Sequence, residues 1–195
     1  MSPADRTTRP RPQHLLGLSE AEYLDLWGVA LHEAGHAVVA VSTGRRFEYV
    51  TIRAVEGIGA GHCVLAPLQD FLNVPGRAAV YLKEDIRKQV VCVLAGDAAG
   101  TFFGYVHRDA GPLADNEDER VAERYVQWIA GGAGQWPLHR ATEALRRRAQ
   151  RLVAREEGVI VDVAHALIWR ETLSYAEVKA IARPQRRRQL QQQHA

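Results

Sequence analysis

Ser19-Glu20-Ala21-Glu22-Tyr23-Leu24-Asp25-Leu26-Trp27-Gly28-Val29-Ala30-Leu31-His32-Glu33-Ala34-Gly35-His36-Ala37-Val38-Val39-Ala40-Val41-Ser42-Thr43-Gly44 is the stretch on which the fold turns. Ser19 followed by acids at Glu20 and Glu22 is a helix start, because a serine oxygen can accept an orphan N–H and acids suit the positive end of the helix dipole. Gly44 supplies the stop. Between them the apolar residues Leu24, Trp27, Leu31, Ala34, Val38 and Val41, with Leu26, Ala30 and Ala37, spread around most of the circumference. A helix apolar on nearly all sides belongs at the centre of a molecule. The spacing therefore predicts a buried helix over about 20–43.

Two histidines and a glutamate interrupt that apolar helix as His32-Glu33-Ala34-Gly35-His36, an H-E-x-x-H pattern. A separation of four stacks both imidazoles on one helix face, near enough to share one zinc ion. Glu33 is displaced around the helix, free to hold an activated water and accept its proton. Burying these three side chains without a partner would be costly, and a metal with its water relieves that cost. A catalytic zinc normally takes three protein ligands and keeps one open position. The acidic cluster Asp115-Asn116-Glu117-Asp118-Glu119 offers a third ligand, and chemistry alone leaves Asp115, Glu117 and Asp118 open. His62 and His107 are weaker candidates.

Outward from this helix, Tyr49–Arg53 and Cys63–Leu65, with Gly57-Ile58-Gly59-Ala60-Gly61 between them, read as a small antiparallel β unit. A helical pattern is predicted over 80–103, a loop over 104–114, and a helix from the acidic cluster to about Ile129. After Gly131-Gly132-Ala133-Gly134 come further helices at about 138–156, 160–170 and 175–182. Residues 1–18 read as a flexible polar leader and 183–195 as a basic, glutamine-rich tail, leaving 19–182 as the folded domain. The expected fold class is mainly α with a small β-sheet packed beside the helix that carries the histidines.

Composition sets the outer limits. A chain of 195 residues with 47% apolar and 25% charged content builds one soluble domain. A net charge of +2 announces no nucleic-acid partner, and the arginines at 140, 146–148, 151 and 186–188 read as a solvated face without aromatic interleaving. Cys63 and Cys92 cannot make a disulfide framework and read as buried free thiols. With neither a signal-peptide pattern nor an apolar run of membrane-spanning length, a cytoplasmic setting and no membrane partner are expected. No G-x-x-x-x-G-K-[ST] phosphate loop occurs, so ATP binding is not expected of this chain.

His32-Glu33-Ala34-Gly35-His36-Ala37-Val38-Val39 resembles the zinc helix of the FtsH-type metallopeptidases. The likeness continues in order through Val50-Thr51-Ile52, Gly61 to Pro67, Leu94-Ala95-Gly96-Asp97-Ala98-Ala99, Asn116 to Ala122 and Leu173 to Val178. It implies a zincin-like peptidase domain that hydrolyses peptide bonds in flexible or unfolded polypeptides. His32, His36 and Asp118 would be its zinc ligands, Glu33 its catalytic base, and Gly61, His62, Cys63, Val64 and Leu65 an edge strand that pairs with substrate. Because no motor module or membrane segment accompanies the motifs, the domain is expected to handle peptides or unfolded segments or to borrow a separate ATPase unfoldase; a homo-oligomer is a further expected partner. One departure stands out: where the family carries a glutamate after the pair matching Ala98-Ala99, this chain has Gly100. Either Asp97 or Asp109 takes over that acid's role, or the domain is an impaired site serving as a protein-binding module.

Overall fold

The computed structural model describes residues 12–55, 59–68, 77–105, 117–130 and 135–183. Helix α1 (Glu20–Thr43) runs through the middle. Its first turn is closed by a reciprocal cap: Glu22 N–H donates to Ser19 Oγ at 3.3 Å, and Ser19 N–H donates to Glu22 Oε2 at 2.8 Å. It ends at Gly44, whose φ of 77° is the left-handed conformation that glycine adopts without steric cost. From Val29 to Val41 all but His32 are buried, as an apolar circumference requires.

Strands β1 (Phe47–Val55) and β2 (Gly59–Leu65) form the expected antiparallel pair, both longer than the sequence suggests. Helices α2 (Arg77–Val93) and α3 (Ala95–Phe102) follow, then α4 (Glu117–Ala130), α5 (Gln135–Arg155) and α6 (Glu157–Arg170). Strand β3 (Thr172–Ser174) completes a sheet of order β2-β1-β3, and residues 175–183 are helical. The architecture is mainly helical with a small antiparallel sheet, an α+β arrangement.

The structure departs from or adds to the sequence reading at three places. The single helix over 80–103 is two helices, broken at Leu94. No glycine or proline marks the break; it serves the close crossing of α3 over α1, where a Cβ on Gly35 would lie 2.7 Å from both the Ala95 oxygen and Ala99 Cβ. Residues 172–174, given no element by the sequence and lying just before the expected helix at 175–182, pair with β1. Thr51 Oγ1 and Ile52 N–H both donate to the Glu171 carbonyl, at 3.0 and 2.9 Å, which pins this short strand in place. Within the stretch read as a leader, Gln13–Leu15 form a 3-10 turn and Leu15 joins the core. Residues 1–11 and 184–195 lie outside the described residues.

The core gathers Leu31, Val38 and Val39 of α1 with Ile86, Val90 and Leu94 on one side and Ile160, Leu167 and Leu173 on the other. Burying such side chains contributes about 1.5–3 kcal/mol each, so α1 is fixed from all sides. No described helix is long and apolar enough to cross a membrane. Both cysteines are free; Cys92 is buried as expected, whereas Cys63 is only half-buried.

Candidate metal centre

Position four residues apart on α1 brings the imidazoles of His32 and His36 edge to face, with ring centroids 4.7 Å apart and planes at 82°. Their Nε2 atoms stand 3.0 Å from one another. Asp118, in the first turn of α4, reaches the same point, its Oδ2 lying 3.2 Å from His32 Nε2 and 3.1 Å from His36 Nε2. Helix α4 delivers it there because Ala122 and Val126 of the same face are buried in the core and Val121 and Tyr125 pack against it. Glu117 is exposed and does not share the cluster, while Asp115, Asp109 and His107 lie outside the described residues.

The donor set fits a small divalent cation. His36 Nδ1 donates to the Cys92 carbonyl at 2.8 Å, which in a neutral ring leaves Nε2 as a lone pair. Two imidazole lone pairs and a carboxylate oxygen within 3.2 Å of one another repel unless a cation or proton lies among them. Four ligands in a tetrahedron with bonds of ~2.0–2.1 Å stand ~3.3 Å apart, close to the spacing observed. Among the described residues, these three form the one His/Cys/Asp/Glu group with atoms close enough to hold a metal ion.

The backbone of α3 forms the roof. A Cβ on Gly96 would fall 2.3 Å from His36 Nε2 and 2.5 Å from His32 Nε2, so only glycine leaves this space open. This residue was not singled out as functional by the sequence. The signal available was a glycine inside a helical run, which lowers helix propensity by ~1 kcal/mol and so invites a packing reason.

Glu33 is 5% exposed, and its Oε2 has no hydrogen-bond partner among the described residues. Burial raises its pKa, against the opposing pull of His36 and His32. Burial acts to lower the His36 pKa, but the Asp118 carboxylate, helped by Glu33 and the Cys92 carbonyl, pushes it up to about 10. For Asp118, burial acts upward, and the two histidines override it and hold the carboxyl well below its usual range.

Strand β2 runs beside this cluster as an edge of the sheet, paired with β1 alone among the described residues. A register shift between Thr51 and Ala54 accompanies Gly61 at φ 109°. A Cβ there would meet Val29 Cγ1 at 2.8 Å and Glu33 Cγ at 3.2 Å, so glycine lets the strand close onto α1 at Glu33. Cys63 and Leu65 pack toward the core. The Cys63 thiol pKa is pushed well up by burial and then by Glu33. His62 turns instead to Tyr49, whose hydroxyl lies 3.0 Å from His62 Nε2.

Comparison with models of known families gives no match, and comparison with curated proteins gives none.

Proposed function

We propose that this chain is a zinc metallopeptidase of zincin-like, FtsH-peptidase type, hydrolysing peptide bonds in flexible or unfolded polypeptide. The observation that carries this reading is the meeting of His32, His36 and Asp118 beside a buried Glu33 oxygen that lacks a hydrogen-bond partner among the described residues. His32, His36 and Asp118 would hold the metal. Bound zinc lowers the pKa of a water toward neutrality and polarises a carbonyl. Glu33 takes one proton from the attacking water and returns it to the leaving amine nitrogen, a role suited to a carboxylate whose pKa burial has raised. The backbone of Gly61–Leu65 would align an extended substrate by strand pairing, with Gly61 bringing it to Glu33. A separate ATPase unfoldase would supply folded substrates in an opened form, and a homo-oligomer is the assembly proposed for the chain itself. A cytoplasmic setting suits free thiols at Cys63 and Cys92.

The test is metal content of the purified chain together with cleavage of unfolded casein, with and without a chelator. One equivalent of zinc and chelator-sensitive cleavage are expected. Zinc without cleavage would favour the protein-binding module, and absence of zinc affinity would overturn the metal reading.

A further inference from the structure

We propose that Asp97 is the positioning residue for His32, replacing the acid that Gly100 cannot provide. This inference rests on the metal reading above. A metal-bound histidine is normally oriented by an acceptor at its other ring nitrogen, which fixes the tautomer and raises the basicity of the ligand atom. For His36 that acceptor is the Cys92 carbonyl. For His32 the carboxylate facing that nitrogen is Asp97, whose Oδ1 lies 3.8 Å from His32 Nδ1, within ion-pair range though longer than a direct hydrogen bond, and on the side of the ring away from Asp118.

The fold explains the relocation. Helix α3 lies over the two imidazoles at Gly96, so the next residue is set down beside His32. At Gly100 the helix is already being closed by Tyr105, whose N–H donates to the Gly100 carbonyl at 2.8 Å. A Cβ at Gly100 would fall 2.9 Å from the Tyr105 oxygen, so no glutamate can stand there without displacing that backbone. Asp97 stands in the first turn of α3 and is partly exposed. Its negative charge also offsets the positive charge gathered when a cation sits among His32, His36 and Asp118.

A role confined to complementing the α3 dipole is separable from this one by experiment. Zinc and cobalt affinities are measured by competition with a chromophoric chelator for the wild type, Asp97→Asn, Asp97→Ala and Asp97→Glu. Metal-free melting temperatures and the His32 ring 15N shifts are recorded on the same samples. Asp97→Ala should weaken zinc by about 10–100-fold. Asp97→Asn, which keeps an acceptor but not the charge, should fall between it and wild type, and Asp97→Glu should recover part of the loss. The His32 Nδ1–H resonance of the zinc-loaded protein should move in Asp97→Asn while that of His36 stays. Lowered metal-free melting with unchanged metal affinity in every variant would reduce Asp97 to a helix-dipole residue and overturn the proposal. Should Asp97→Ala fail to fold, the Asp97→Asn affinity and ring shift decide alone. Failure of the wild type itself to bind zinc would instead refute the metal reading, a result distinct from insensitive variants.

Discussion

A carboxylate that is 5% exposed, as Glu33 is, persists only where its charge is useful or neutralised. Glu33→Gln keeps the shape and removes the base. Zinc content should stay near one equivalent while cleavage falls by about 10²–10⁴-fold; unchanged turnover would take Glu33 out of the mechanism. Asp118→Ala removes the one carboxylate among the described residues that meets both Nε2 atoms, so zinc affinity should collapse, whereas Glu117→Ala, on an exposed neighbour, should leave it intact. Equilibrium metal titration of both variants checks this. The parts of the site that rest on local periodicity were legible in the sequence: a spacing of four on a helix dictates that His32 and His36 share a face. Asp118 needed a family resemblance to be singled out from its acidic neighbours, because its value depends on where α4 lands. The Cys92 carbonyl and Gly96 were not legible as functional, since they serve the site through backbone brought over it by helix crossing.

At the scale of the element, α1 was readable end to end because its signals are local: a capping serine and its glutamate, an apolar run, and a terminal glycine. Ser19→Ala should therefore cost about 0.5–2 kcal/mol in denaturant unfolding without altering metal affinity, since the cap lies more than two turns from His32. The break between α2 and α3 left no such mark, because Val, Leu and Ala continue through it and only contact with α1 decides where the axis turns. Gly35 is the residue through which that contact acts. Gly35→Ala places a methyl 2.7 Å from both the Ala95 oxygen and Ala99 Cβ, so α3 must back away from α1. Overpacking of this kind costs about 1–3 kcal/mol. Retreat of α3 should also carry Asp97 from His32, so both the melting temperature and zinc affinity should drop, unlike in Ser19→Ala. Strand β3, three residues long, was too short for any period to show.

For the whole molecule, proton and fold are linked through one buried cluster, and a bound metal would join that linkage. In the metal-free chain His36 holds a proton up to about 10, against an ordinary value of 6.5, chiefly because Asp118 stands beside it in spite of burial. A histidine whose pKa is raised on folding adds stability that is fully present below about 6.5 and lost as the pH rises through about 10. Asp118, lowered from 3.8, adds stability present above that value and lost on acidification. Glu33, raised from 4.5, acts in the opposite sense to Asp118 and favours the fold less as the pH climbs past its unfolded value. The metal-free protein should therefore melt at its highest temperature in mildly acidic solution and lose stability between pH 6.5 and 10. On the proposed metal reading a divalent cation would take the place of the His36 proton, so zinc binding at pH 7–8 should release close to one proton. Calorimetry in buffers of different ionisation enthalpy reads that number directly. Loaded with zinc at about a thousand times Kd, the protein should gain ~4 kcal/mol of stability. It should also lose the alkaline decline, because a ring nitrogen bound to metal no longer titrates. Equal calorimetric heats in all buffers would mean that no proton leaves, and that His36 is not the group zinc displaces it from. A loaded protein that still declined between pH 6.5 and 10 would place the titrating group elsewhere in the molecule.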